Sequence, residues 1–215
     1  SLLTPHSSLL TPHSSLLIPH SSFLTPHSSF LIPHSSFLIP HSSFPIPHYS
    51  NSSLTKMSKT PKTNAARLLE TAGIPFRLVP YKFDENDLAA QHVAEELGED
   101  IRQVFKTLVL HGERTGYFVC VIPGNCEVDL KKAASAAGDK KAEMLPMKEL
   151  LATTGYIRGG CSPVGMKKPF PTFFHESALD FERIYVSAGV RGLQLEVAPD
   201  KLINYVGATV CNIVK

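Results

Sequence analysis

The sequence begins with a seven-residue repeat that carries a proline in every copy. The first copy reads SLLTPHS, and six further copies follow until the pattern ends at Tyr49. Leucines at this spacing can form a coiled coil, but each proline lacks an amide hydrogen and clashes with the preceding helical turn, at about 3 kcal/mol. The repeat therefore excludes a helix over this part of the chain.

Residues 1–56 also lack the charge pattern of a solvated tail or a secretion signal. They contain a single lysine, Lys56, and no acidic residue. We expect a disordered, low-complexity segment with extended, polyproline-like conformers. The seven histidines of the repeat could bind a metal, although ligands on a flexible chain pay a large ordering entropy. We favour a repeat translated from upstream DNA, with Met57 as the natural start.

Residues 57–215 have the size and composition of one globular domain. They carry 20 basic and 19 acidic residues, so nothing attracts DNA or RNA to the whole surface. No apolar run approaches the roughly 18 residues of a membrane span. The four cysteines show neither Cys-x-x-Cys pairs nor finger-like spacing with histidine. We therefore expect a soluble cytoplasmic domain with free thiols, no membrane contact, no metal and no other cofactor.

Local patterns predict a mixture of helices and strands. Residues 104–110 and 117–122 are rich in β-branched and aromatic residues, and the polar turn between them predicts a hairpin at the centre of a sheet. Further strands are predicted at 76–79, 172–174, 184–186, 193–197 and 209–213. Helices are predicted at 63–70, 88–97 and 130–137, and a short one is predicted to start at Pro199. This order indicates an α+β fold rather than a doubly wound parallel sheet.

Three islands combine polar side chains with glycine-rich backbone. They are Phe105-Lys106-Thr107-Leu108-Val109, Gly159-Gly160-Cys161-Ser162-Pro163-Val164-Gly165 and Ser187-Ala188-Gly189-Val190-Arg191-Gly192. The lysine projects from an apolar, strand-like run. The two glycine-rich turns offer backbone amides that no side chain shields. The combination suits a small acyl group attached to an anionic carrier.

The order and spacing of these islands resemble the YbaK/EbsC-type Cys-tRNA(Pro) deacylases from about Thr60 onward. Two connecting motifs, Asp129-Leu130-Lys131-Lys132 and Thr154-Gly155-Tyr156, add to the likeness. The family is also similar to the editing domain inserted in bacterial-type prolyl-tRNA synthetases. The resemblance implies a mixed, mostly antiparallel, barrel-like sheet surrounded by helices. It also implies trans-editing of mischarged Cys-tRNA(Pro), with aminoacyl-tRNA as substrate and prolyl-tRNA synthetase as a candidate partner.

The resemblance assigns roles to individual residues. The catalytic group would be Lys106, Gly160 and Ser187. The substrate-binding group would be Tyr81, Gly159, Ser162, Pro163, Gly165, Gly189, Arg191 and Gly192. The Lys106 ammonium would hold the terminal ribose or phosphate and stabilise charge on the ester oxygen. The cysteinyl thiol of the substrate would attack its own ester, so the protein need supply no nucleophile.

Other features leave alternatives open. Paired lysines at Lys131-Lys132 and Lys167-Lys168 are candidates for RNA phosphates, or are simply solvated. Gln194 stands where many relatives carry aspartate, which leaves open how the substrate amine is held. A thiol hydrolase using Cys161, a non-catalytic RNA- or synthetase-binding module, and a deacylase for another tRNA such as Ala-tRNA(Pro) are the alternative functions.

Overall fold

The structure, a computed structural model, describes residues 62–215, which form eight strands and five α-helices. The strands are β1 (Phe76–Pro80), β2 (Phe105–Gly112), β3 (Gly116–Pro123), β4 (Ala142–Met144), β5 (Thr172–His175), β6 (Ile184–Ser187), β7 (Leu193–Val197) and β8 (Thr209–Cys211). The helices are α1 (Asn64–Thr71), α2 (Ala90–Leu97), α3 (Leu130–Ala136), α4 (Met147–Thr154) and α5 (Pro199–Val206), with a 3-10 turn at Glu176–Asp180. The predictions for residues 1–56 and for a start at Met57 lie outside the described residues.

Caps define three ends of the predicted helices, and those at Asp129 and Gly98 were expected from the sequence. The Thr63 side chain accepts a hydrogen bond from the Ala66 amide and begins α1. The Asp129 carboxylate accepts from the Lys131 and Lys132 amides and begins α3. Gly98 ends α2 in the left-handed conformation, at φ 68°. The sequence analysis missed β4, α4 and the 3-10 turn.

The strands form two sheets, of orders β1-β7-β6 and β4-β2-β3-β5-β8. Four of the six strand pairings are antiparallel, as expected, whereas β3–β5 and β5–β8 are parallel. The predicted hairpin β2–β3 is confirmed and lies inside the larger sheet. The expected barrel is wrong in one respect, because the sheets do not close. Across residues 62–215, the bridge recorded between them joins Val104 to Tyr185, so the sheets meet at one corner.

Two apolar cores fix the hairpin in place. The larger core lies between the sheets and includes Phe174, Ile184 and Leu195, all fully buried. The second core packs α3 against the other face of the hairpin and includes Leu110 and Phe118. With both faces covered, the hairpin is a rigid support for the side chains along its edge.

Among residues 62–215, none of the helices combines the length and the apolar character required to cross a membrane.

Candidate active site

A cavity of about 620 Å³ lies where the two sheets diverge. Strand β4 pairs only with Leu110–Gly112 of β2, so the segment Lys106–Leu108 has no strand neighbour on that edge within residues 62–215. Residues from α2, β2, β6, β7 and the loop before β5 surround this open edge. We call this space the inner cavity. All three islands contribute to its lining, with Lys106, Gly159 and Ser187 among the contributing residues.

Lys106 places an ammonium group in the cavity wall. Its Nζ donates to the Gly124 carbonyl at 3.0 Å, a neutral partner that adds no opposite charge. Partial burial lowers the pKa of Lys106 below the ordinary value of 10.5, and the nearby Cys126 and Glu127 oppose that shift. The site therefore presents a cation whose charge is available to an anionic or developing negative group.

Two buried oxygens in the inner cavity have no hydrogen-bond partner within the described part of the chain. They are Thr107 Oγ1 and Gln194 Oε1. Gln194 pairs with Ser187 across β6 and β7, and the Ser187 hydroxyl accepts from the Gly189 amide at 3.2 Å. A buried polar atom without a partner costs about 1–3 kcal/mol, so these oxygens are suited to hydrogen bonds with a ligand.

Gly159 and Gly160 occupy different places in their turn. Gly159 lines the inner cavity at φ 79°, and a Cβ there would lie 3.1 Å from Leu88. Gly160 is not among the lining residues: its amide donates to the Ile157 carbonyl at 3.0 Å. A Cβ on Gly160 would lie 3.3 Å from the Val190 backbone. Gly160 therefore holds two loops together behind the cavity, and its predicted catalytic role stays a prediction.

The rest of the second island packs around Tyr156, a residue to which the sequence analysis gave no role. The Tyr156 hydroxyl donates to the Val164 carbonyl at 2.5 Å. A Cβ added at Gly165 would lie 3.2 Å from the Tyr156 hydroxyl, and one added at Gly189 would lie 2.9 Å from the Tyr156 ring. Ser162 and Pro163 are buried beside it, and the Ser162 hydroxyl accepts from the Val164 amide at 3.3 Å. These residues support the cavity wall from behind.

Arg191, Gly192 and Tyr81 lie at the rim. The Arg191 Nε donates to the Arg158 carbonyl at 3.0 Å, and Glu85 lies 3.8 Å from its guanidinium. The Gly192 carbonyl accepts from the Tyr81 amide at 3.0 Å. The side chain of Tyr81 packs on a small apolar cluster and is not among the cavity-lining residues. The predicted stacking of this ring on adenine therefore stays a prediction.

Two of the four candidate RNA-binding lysines use their ammonium groups in hydrogen bonds within the protein. Lys132 Nζ donates to the Val214 carbonyl at 2.7 Å and to Asn212 at 3.0 Å. Lys167 Nζ donates to the Ala152 carbonyl at 3.2 Å. Lys131 and Lys168 are exposed, and their ammonium groups make no recorded contact with residues 62–215. They are the better candidates for phosphate contacts.

Sequence analysis missed the wall formed by α4 and the strand before it. Met144, Met147 and Leu150 line the inner cavity, and Arg158 lies at its mouth. Arg158 directly precedes Gly159, so its position next to the second island was the available signal.

Cys161 lines the cavity as a neutral thiol. Burial raises the pKa of Cys161 to about 12, far from the range of reactive thiolates. None of the histidines in residues 62–215 lines the inner cavity. The arrangement argues against a cysteine nucleophile.

Comparisons with known proteins agree with this architecture. Residues 84–205 match the profile of the aminoacyl-tRNA editing domain. An Enterococcus faecalis protein, EbsC, whose assigned name is that of a Cys-tRNA(Pro)/Cys-tRNA(Cys) deacylase, is 51% identical over 151 residues, covering 70% of this chain and 92% of EbsC. A proline--tRNA ligase of Fervidobacterium nodosum is 33% identical over 85 residues, which are 40% of this chain and 15% of the ligase.

A solved structure shows the same fold. A protein described as a trans-editing enzyme for prolyl tRNA synthetase superimposes with a TM-score of 0.63 at 26% identity, covering 71% of this chain and 98% of that one. The sequence match and the shared fold together identify the family to which this chain belongs. The chain belongs to the aminoacyl-tRNA editing domain family.

Proposed function

We propose that the protein hydrolyses Cys-tRNA(Pro) in trans, with the inner cavity holding the aminoacyl-adenosine end of the tRNA. One observation carries the proposal: Lys106, Thr107 and Gln194 bring a cation and two buried oxygens, which lack partners within residues 62–215, to the same cavity. A cation suits the phosphate, ribose or ester oxygen. The two oxygens suit a small amino group. The name of the E. faecalis relative supports this substrate.

Selectivity explains why such an activity would be needed. A pocket shaped for proline rejects a side chain of similar volume by only a few kcal/mol, or about 100-fold. A separate hydrolytic site can remove cysteine after attachment. We therefore propose prolyl-tRNA synthetase as a functional partner and the cytoplasm, where tRNA is charged, as the place of action.

The reaction uses the substrate thiol as its nucleophile. The thiol loses its proton, its sulfur attacks the ester carbonyl carbon, and the bond from that carbon to the ribose oxygen breaks. The ribose oxygen takes up a proton, and water hydrolyses the released cyclic thioester. The Lys106 ammonium stabilises the negative charge that grows on the ester oxygens. The high pKa of Cys161, about 12, agrees with a mechanism that needs no protein thiolate.

Amine recognition falls to neutral oxygens. Gln194 Oε1 and Thr107 Oγ1 can each accept a hydrogen bond from the α-amino group of the substrate. A carbonyl attracts an ammonium less strongly than a carboxylate does. We therefore propose that directed hydrogen bonds contribute more than charge attraction to the binding of the substrate amine.

Parallel deacylation assays with Cys-tRNA(Pro), Ala-tRNA(Pro), Cys-tRNA(Cys) and Ser-tRNA(Pro) test the proposal. We expect rapid loss of cysteine from tRNA(Pro) and slow loss of serine, because a hydroxyl is the weaker nucleophile. Equal rates with alanine and cysteine would exclude the substrate thiol as nucleophile. Binding of tRNA without hydrolysis of any ester would instead identify a non-catalytic module.

A further inference from the structure

We propose that a second cavity, next to the inner one, binds the nucleotide that precedes the terminal adenosine of the tRNA. This inference rests on the proposed function. The second cavity, called the outer cavity here, measures about 670 Å³. It is lined by Lys106, Leu108, Glu127, Val128, Asp129, Leu130, Lys131, Met144 and Lys215.

The two cavities adjoin, because they share part of their lining. Lys106, Leu108 and Met144 line both of them. A tRNA whose terminal nucleoside fills the inner cavity must continue in the 5′ direction from a point close to that nucleoside. The boundary at Lys106 therefore gives the adjoining nucleotide direct access to the outer cavity.

The floor of the outer cavity suits the flat face of a nucleobase. Leu108, Val128, Leu130 and Met144 form an apolar surface. Leu130 and Met144 are 38% and 43% exposed, respectively, which is high for large apolar side chains. An unpaired base can pack between apolar as well as aromatic side chains, and single strands bind where such contacts lie beside a positively charged groove.

The charges at the rim favour a phosphate despite two acidic residues. The Glu127 carboxylate accepts from Lys215 Nζ at 2.5 Å. The Asp129 carboxylate accepts from the backbone amides of Lys131 and Lys132. Both carboxylates are therefore engaged, whereas the exposed Lys131 ammonium makes no recorded contact within residues 62–215. Lys131 can neutralise the phosphate that links the last two nucleotides.

Substrates of different length test the outer cavity directly. We would measure kcat/KM for cysteinyl-adenosine, for 3′-cysteinyl cytidylyl-adenosine and for Cys-tRNA(Pro). In Lys131→Ala and Leu130→Ala, we expect the ratio of dinucleotide to mononucleoside kcat/KM to fall about fivefold. For Lys131→Ala, the salt dependence of kcat/KM on tRNA should also weaken, by about 0.7 in log–log slope. Lys201→Ala is the matched control, because that exposed lysine lines neither cavity.

The outcomes separate the two proposals. Unchanged ratios in both outer-cavity variants would overturn this inference while leaving the deacylase intact, and so would an equal loss on all three substrates. A fall in the ratio with Lys201→Ala instead would move the RNA path to another face. If the parent protein hydrolyses none of the three esters, the proposed function itself fails.

Discussion

The buried polar groups at the two ends of the β2–β3 hairpin differ in their hydrogen bonding. At the turn, the buried Asp139 carboxylate accepts hydrogen bonds from the Arg114 and Thr115 amides, at 2.8 and 2.9 Å, and from the Thr115 hydroxyl at 3.1 Å. It also accepts from the Lys140 amide at 2.7 Å. At the other end, the Thr107 hydroxyl has no partner within residues 62–215. The first end serves the fold, and the second is suited to a ligand.

The largest effect is expected from Lys106→Ala at the cavity end. Removing the ammonium should lower kcat/KM for Cys-tRNA(Pro) by about 100-fold or more. The Lys106 side chain is only half-buried and bonds one carbonyl, so the thermal midpoint should change little. Deacylation assays and thermal melts, with the exposed-lysine variant Lys201→Ala as control, measure both. Activity close to that of the parent would remove Lys106 from the mechanism.

The pH dependence of kcat/KM tests whether the reaction needs the positive charge of Lys106. Burial lowers the pKa of Lys106 below 10.5, so the ammonium loses its proton at a lower pH than an exposed lysine does. If the charged form is needed, kcat/KM should fall as the pH rises through this lowered value. Rates are to be corrected for spontaneous alkaline hydrolysis of the ester. A rate that stays level up to pH 10.5 would show that the charge of Lys106 is not required.

Thr107→Val removes a hydroxyl and keeps the shape of the side chain. We expect about a tenfold loss of kcat/KM, the equivalent of one hydrogen bond of about 1.4 kcal/mol. Because the hydroxyl is buried without a partner in the described chain, stability should be unchanged or higher. Thermal melts and steady-state kinetics on the same preparations test this pair of effects. Lower stability with normal activity would show that the Thr107 hydroxyl supports the fold and does not bind the substrate.

Asp139→Ala breaks the opposite end. Four hydrogen bonds to the carboxylate disappear, so the thermal midpoint should fall by several degrees while activity per folded molecule is kept. Glu113→Ala, an exposed change in the same turn, is the control. A loss of activity in the folded Asp139→Ala protein would show that the two ends are coupled.

The stability provided by Asp139 should also depend on pH. The backbone amides of Arg114 and Thr115 hold the pKa of this carboxyl below its ordinary 3.8. The stabilisation is therefore present above pH 3.8 and is lost as the pH falls below it. Thermal melts of parent and variant should converge in that acidic range. A difference that persists unchanged below it would argue against the carboxylate as the cause.

The smallest effect is expected from Cys161→Ser. A thiol whose pKa is raised to about 12 is not a nucleophile near neutral pH, and we expect less than about a twofold change in kcat/KM. The assay is hydrolysis of Cys-tRNA(Pro) by protein with a normal melting curve. Loss of turnover in such a protein would support a thiol hydrolase.

The site could be predicted only in part from sequence. Local signals, a lysine in an apolar strand and glycines in tight turns, marked the three islands, and the family resemblance then singled out Lys106, Gly159 and Ser187 within them. Gly160 shares the same signal, yet it lies behind the cavity because its amide closes a turn onto Ile157. The sequence of a turn does not reveal which of its glycines faces the ligand.

Local sequence specifies three features of this fold: the β2–β3 hairpin, the cap of α3 at Asp129 and the left-handed end of α2 at Gly98. These depend on neighbouring residues alone. Tertiary structure decided the rest. Strand β4 has three residues and exists because β2 pairs with it. Helix α4 begins at Met147, and the preceding Pro146 provides no side-chain cap. Because β4 is short, the edge of β2 stays open and the sheets do not close. The cavity therefore depends on where the long-range pairing of β2 with β4 stops, and no local sequence pattern encodes that point.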